Sequence, residues 1–217
     1  MGLHRSVSFA ILAAAVALGG CNVRVNSPIV VADGETRTGG LTTVNGGIDV
    51  GQGSTVEGRC RSVNGGVTIG DRSRVQDLAS VNGPIEVGRE ALVDGDVESV
   101  NGPVDLKSGS KVTGELATIN GPIDLTHAIV ERDVRTVHGA IRLRDRSTVK
   151  GDVIVEKKMG NFKLSKKMRI EVTDQSVIEG DVIVEDDDLD VRLILRNGGK
   201  VLGKVENAEI IREETIG

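Results

Sequence analysis

A single recurring phrase limits what this chain can become. SVNGP stands at residues 80–84 and again at 99–103, and close variants of it run from residue 43 to residue 151. Aligned on apolar-x-apolar, five residues, apolar, x, Gly or Asp, the chain gives copies starting at Ile48, Val67, Ile85, Val104, Ile123, Ile141, Ile170 and Leu193. The starts lie 19, 18, 19, 19, 18, 29 and 23 residues apart, and in the fifth copy Val130 arrives one residue early. Repeats of this length are single supersecondary units that bury their apolar faces only by stacking on their neighbours. Within each copy apolar residues alternate, as in Ile85-Glu86-Val87, which is the period of a strand with one buried face. Asn-Gly pairs and glycines mark the corners. No useful length of chain has helical periodicity. The expected fold is all-β: a β-solenoid of about eight coils of roughly 19 residues, with neighbouring coils about 4.8 Å apart.

Composition agrees with stacked aliphatics. After residue 20 the only aromatic side chain is Phe162, so the large buried areas that aromatics supply are absent. The first twenty residues hold one arginine and no carboxylate, so removing them takes the formal net charge from −5 to −6. An acidic chain is a poor nucleic-acid binder, and that class of partner is set aside. Residues 1–20 have a short polar start at His4 and Arg5, an almost wholly apolar run from Val7 to Leu18, and the ending Leu18-Gly19-Gly20-Cys21. The run is too short to span a bilayer comfortably and reads as a secretory signal. The chain divides as follows: signal peptide 1–20; tether or N-terminal cap 21–41; regular solenoid 42–155; basic insertion loop 156–169; irregular C-terminal coils and cap 170–217.

In a solenoid each position stacks on its equivalent. One column reads Cys60, Leu78, Val97, Leu116, Val134, Val153, Val182, Val205. Cys60 among aliphatics is expected to be a buried small hydrophobe rather than a reactive thiol. A second column reads Asn45, Asn64, Asn82, Asn101, Asn120 and then His138, each followed by Gly. Asn tolerates the left-handed conformation of a tight corner, and stacked amides can hydrogen-bond along a rod. This column is expected to be a structural corner ladder, with a polar binding strip as the alternative. His138 is expected as another corner residue, since His also visits positive φ, rather than as a catalytic base.

Three resemblances carry the functional reading. Leu18-Gly19-Gly20-Cys21 resembles a bacterial lipobox, which implies a diacylglycerol-modified, N-acylated Cys21 as the first mature residue. It also implies a lipid anchor to the membrane, and Asn22 favours the outer membrane facing the periplasm. GREALVDGD (88–96) and RSTVKGDVIVE (146–156), within a unit running from residue 43 to about 206, resemble bactofilins, the polymer-forming cytoskeletal family. That resemblance implies a single-stranded right-handed parallel β-helix and end-to-end association with itself. Bactofilins are cytosolic, however, and the VNG corners are not part of their pattern. IGDRSR (69–74) and VGREAL (87–92) resemble the hexapeptides of left-handed β-helix acyltransferases. Only one hexad per coil is present, and His138 or His127 would have to serve as base. The expected function is therefore a non-catalytic, lipid-anchored envelope scaffold, possible partners being an envelope protein or itself. A membrane-tethered polymer subunit is the alternative, and an acyltransferase-like enzyme the weakest reading. No cofactor is expected.

Three surface features remain. The outward stripe Asp49, Thr68, Glu86, Asp105, Asp124 stacks carboxylates that repel one another. A divalent cation with oxygen ligands would relieve this, and a screened, solvated face with nearby arginines is the plainer reading. The row Val44, Val63, Val81, Val100, Ile119, Val137 would face outward under strict alternation, whereas a corner that breaks the alternation would bury it, which is the expectation. The insertion EKKMGNFKLSKKMR (156–169) supplies Lys157, Lys158, Met159, Phe162, Lys163, Lys166, Lys167 and Arg169 as a basic and apolar contact loop. It leaves the same corner as the acidic run DDDLD (186–190) one coil later, so mutual pairing is the alternative.

Overall fold

The computed structural model describes residues 22–157 and 167–213. Among them there is no helix, and every strand pairing is parallel. Three sheets of ten, ten and nine strands run side by side along one rod. One coil visits each sheet in turn, for example Val97–Ser99 in sheet A, Val104–Leu106 in sheet B and Lys111–Val112 in sheet C. The molecule is a parallel β-solenoid of about ten turns, some 45 Å long at about 4.8 Å per turn.

The two turns beyond the eight read from the repeat lie at its ends. Asn22–Arg24, Ile29–Val31 and Thr36–Thr38 form a first coil stacked on the next. Val205–Glu206 and Glu209–Glu213 form a last one. Both lack the VNG corner that marks the regular copies. The shortened fifth copy stays in step, because Val112 still faces Val130. Its missing residue is absorbed at the corner where His127 takes φ 48°.

The columns are in register from coil to coil. Leu41, Cys60, Leu78, Val97, Leu116, Val134, Val153, Val182 and Val205 face one another in sequence along sheet A. The largest fully buried side chains are all Leu or Ile, including Ile48, Ile85, Leu106, Leu125 and Leu143. Each such side chain removed from water stabilises the rod by about 1.5–3 kcal/mol before the cost of ordering it. A strand period of two on three walls gives a triangular interior narrow enough for aliphatics alone to fill.

The corners differ chemically, and here the structure departs from the expectation. None of Asn45, Asn64, Asn82, Asn101, Asn120 and His138 has positive φ. Left-handed residues are concentrated at the corner between sheets B and C: Gly53, Arg72, Glu90, Gly109, His127, Asp145 and Arg146. At the VNG corner glycine is required by closeness of stacking instead. A Cβ on Gly65, Gly83, Gly102 or Gly121 would meet the carbonyl of the glycine one coil below at under 3.0 Å.

Candidate functional site

The corner between sheets A and B is the most regular surface of the rod. Asn64 Nδ2 donates to Asn45 Oδ1 at 2.8 Å, Asn82 to Asn64 at 2.9 Å, and Asn101 to Asn82 at 3.1 Å. The ladder starts one coil earlier than the VNG motif shows, with Asn45 donating to Asn26 at 2.6 Å. Asn26 sits in VNS rather than VNG, and it alone in the ladder has positive φ. Backbone bonds reinforce it: Asn64, Asn82, Asn101 and Asn120 each donate N–H to the valine before the Asn below, at 2.8–2.9 Å. Asn120 faces His138 in register, and His138 Nδ1 is buried without a hydrogen-bond partner.

Strict alternation holds up to this corner. Thr43, Ser62, Ser80, Ser99, Thr118 and Thr136 point inward and are buried. Four of these hydroxyls bond to corner carbonyls, as Ser62 to Gly46 at 2.9 Å and Ser99 to Gly102 at 3.0 Å. Val44, Val63, Val81, Val100, Ile119 and Val137 therefore turn outward and are half-buried, not enclosed as expected. At four coils the inward hydroxyl satisfies a carbonyl of this tight corner, whereas Thr118 and Thr136 Oγ1 are buried without a partner and Val155 and Val184 take the same column on the next two coils. Valine, asparagine, glycine and proline thus form a ridge without a Lys, Arg, Asp or Glu at 25–28, 44–47, 63–66, 81–84, 100–103, 119–122 or 137–140. Its continuation one coil further is Glu156 and then Glu185.

The third corner, between sheets C and A, holds a second ladder that the repeat pattern did not single out. Oδ1 of Asp77 accepts the N–H of Asp96 at 3.0 Å, and Asp96 that of Glu115 at 2.8 Å. Asp133, Asp152 and Asp181 do the same for Asp152, Asp181 and Lys204 at 2.7–2.9 Å. The signal was present in the Gly-Asp pairs at 95–96, 151–152 and 180–181. Glu115 takes the aspartate's place once; burial raises its pKa, and Arg135 opposes the rise. Arg135 pairs with Glu115, with Asp133 at 3.1 Å and with Glu156 at 3.3 Å.

The remaining candidates lie apart from these ladders. The stripe of Asp49, Thr68, Glu86, Asp105 and Asp124 is contiguous along sheet B. It is interleaved with cations: Lys107 reaches Glu86 at 3.5 Å, and Arg142 and Arg144 reach Asp124 at 3.2 and 3.5 Å. Asp105 has its pKa raised, first by burial. Among the described residues no cluster of three or more His, Cys, Asp or Glu side chains is arranged to hold a metal ion. Cys60 is fully enclosed, and burial pushes its thiol up to about 12. His127 and His138 stand on different corners of the rod.

Of the insertion, Lys158, Met159, Phe162, Lys163 and Lys166 lie outside the described residues, as does Cys21. Lys157 N–H reaches Glu185 Oε2 at 3.5 Å. Lys167, Met168 and Arg169, read from the sequence as the end of a loop, begin the strand Lys167–Val172. That strand pairs along its whole length with Asp190–Arg196, placing Lys167 opposite Asp190. Both outlast the usual three residues of sheet B, so they continue past the corner. Met168 and Val191 are buried there, and this apolar pair makes a strand of what its lysines mark as loop. Comparison with protein-family models, with curated proteins and with solved structures finds no match to this chain.

Proposed function

We propose that the protein is a non-catalytic scaffold of the bacterial envelope, a stiff rod anchored by lipid at Cys21 and resembling bactofilins in its repeat. The observation that carries this reading is the uncharged ridge. A quarter of the chain is charged, yet seven successive steps of one corner present only valine or isoleucine, amide or imidazole, and small residues or proline. Exposed surface kept free of charge over such a length suits contact with a partner, because charges are depleted where surfaces are buried together. Asn22, next to the lipobox-like cysteine, favours the outer membrane, facing the periplasm, with an envelope protein as partner.

Two measurements test the two halves. Metabolic labelling with palmitate should mark the chain, and Cys21→Ala should lose both label and membrane association; an unlabelled, soluble wild type would end the anchor reading. Placing lysine at Val81 and Val100 should abolish cross-linking to envelope partners while leaving the circular dichroism unchanged. Unaltered cross-linking would remove the ridge from the account.

A membrane-tethered polymer subunit is the second reading, and one observation favours it. At the last coil the inward residues Val201 and Val205 are only partly covered, and Ile210 is 40% exposed. Ile178, Val182 and Leu193, one coil below in the same columns, are fully buried. Unpaired strand edges with open apolar columns are templates for another chain. Sedimentation with electron microscopy of the purified chain distinguishes the readings: filaments, or mass that grows with concentration, favour the polymer, and a constant monomer the scaffold.

A further inference from the structure

We propose that the notch where the uncharged ridge ends is a binding site for a phosphate group. The site lies in the rod and does not depend on how Cys21 is modified. It exists because two strands of sheet B are extended. Ile170 pairs with Ile141, so Lys167, Met168 and Arg169 run on alongside the corner that holds His138, Gly139 and Ala140. Asp190, Val191 and Arg192 repeat the extension one coil further. The shoulder and the corner enclose an open cavity of about 300 Å³.

Its chemistry is one-sided. Among the described residues His138, Arg142, Lys167, Arg169 and Arg192 line it, with Asp190 as the single carboxylate. The three guanidinium groups are each held by a carboxylate outside the lining. Arg142 Nη1 lies 3.2 Å from Asp124, Arg169 Nη1 3.2 Å from Glu171, and Arg192 Nε 3.3 Å from Glu209. Arg142 also approaches Glu171 at 3.9 Å, and Arg192 approaches Asp190 at 3.9 Å. These contacts engage part of a fork with five donors. A guanidinium fixed by one carboxylate is pre-oriented toward a second anion. The opposing carboxylates lower the net charge of the neighbourhood, so the gain comes from placed donors rather than from bulk field.

A second observation points the same way. His138 Nδ1 is buried and has no hydrogen-bond partner. An orphaned buried polar atom is costly unless something outside the chain satisfies it. A phosphate oxygen accepts from the protonated ring, and a phosphate hydroxyl donates to the neutral one. At each earlier step of the ridge the equivalent residue is Asn and the corner segment itself carries no Lys or Arg, the guanidinium of Arg24 reaching Pro28 O at 3.4 Å on the first coil. The one histidine in the column therefore coincides with the arrival of cations on the two coils above it. Donors from four strands line the cavity and match a tetrahedral anion with several oxygens. Soluble phosphomonoesters and phospholipid headgroups share this chemistry, and the test below distinguishes them.

The test is a titration of the full chain in neutral detergent, followed by histidine side-chain NMR and calorimetry. Inorganic phosphate should shift the His138 resonances, assigned through His138→Asn, and leave those of His127 in place. Chloride at matched ionic strength should shift neither. Arg169→Gln with Arg192→Gln should weaken phosphate at least tenfold. Both side chains are largely exposed (59% and 47%), so unchanged circular dichroism will show that the rod persists. A short-chain phosphatidylglycerol below its micellar concentration, binding more than tenfold tighter than glycerol phosphate, assigns the site to lipid; equal or weaker binding assigns it to a soluble phosphate. No response of His138 to either compound, an equal response to chloride, or a response that survives the double substitution would overturn the proposal.

Discussion

The residue that defines the repeat, asparagine, is present for its side chain and not for its backbone. Asn82 gives one N–H to Asn64 Oδ1 and takes one from Asn101. Asn82→Asp keeps the acceptor and loses the donor, setting a carboxylate against an amide oxygen. The expected cost is about 1–2 kcal/mol at neutral pH. It should shrink in acid, where the protonated carboxyl donates again; urea unfolding at two pH values checks this. The glycine beside it is required for a different reason. Gly83→Ala places a Cβ against the Gly65 carbonyl, and the expected loss is about 3 kcal/mol, since two stacked backbones must part. Glu90, at φ 57° on the opposite corner, should behave in reverse. Glu90→Gly relieves left-handed strain at some cost in chain entropy, and should range from neutral to about 1 kcal/mol stabilising. The sequence showed which positions repeat. It did not show which corner is left-handed, because Asn-Gly serves tight turning and tight stacking equally well and only the coil below distinguishes them.

At the scale of strands and sheets, the apolar alternation was legible wherever it met a three-residue strand. It failed where strands lengthened. Lys167 and Arg169 flank Met168, and a basic run with one apolar residue reads as loop until Val191 supplies the neighbour that Met168 packs beside. The coil of Ile29–Val31 was equally hidden, since its corner is VNSP. The aspartate ladder was visible only as scattered Gly-Asp pairs, because its acceptors bond to backbone N–H groups, which leave no side-chain signature. Where glutamate replaces aspartate in that ladder, Arg135 becomes the element that holds sheet A's outer face. Arg135→Ala should cost about 2 kcal/mol at neutral pH, less than a deeply buried pair because the site is half-open. The pH sign follows from Glu115. Its folded-state pKa is raised, so its contribution to stability is complete below the ordinary carboxylate value and falls as pH rises through the raised one. Removing the arginine raises that pKa further. The variant's deficit should therefore be largest at neutral pH and diminish toward acid, which thermal unfolding across the carboxylate range will reveal.

For the whole molecule, the near-identity of successive coils has a mechanical consequence. If each coil contacts only its neighbours, stability is a sum of coil and interface contributions, and an internal coil is dispensable provided register survives. Deleting residues 83–101 joins Asn82 directly to Gly102. Val104, Asp105 and Leu106 then stack on Val67, Thr68 and Ile69, and Leu116 on Leu78, positions that already share columns through the deleted coil. The amide ladder closes over the gap, with Asn120 above Asn82. Three ion pairs are lost, Arg89 with Asp71, Arg74 with Asp94 and Lys107 with Glu86; all are exposed and together weigh little. The shortened chain should fold cooperatively, with a urea m-value lower by about a tenth, since m follows the surface exposed on unfolding. Its largest dimension by small-angle scattering should fall by about 5 Å. Deleting residues 83–92 instead removes about half a coil and shifts the later strands off their columns, setting Val97 of sheet A over Ile69 of sheet B, and that chain should not fold. If the full-coil deletion also fails, the coils are not interchangeable. The rod would then draw its stability from a feature of one particular turn, and the extended strands beside His138 would be the first place to look.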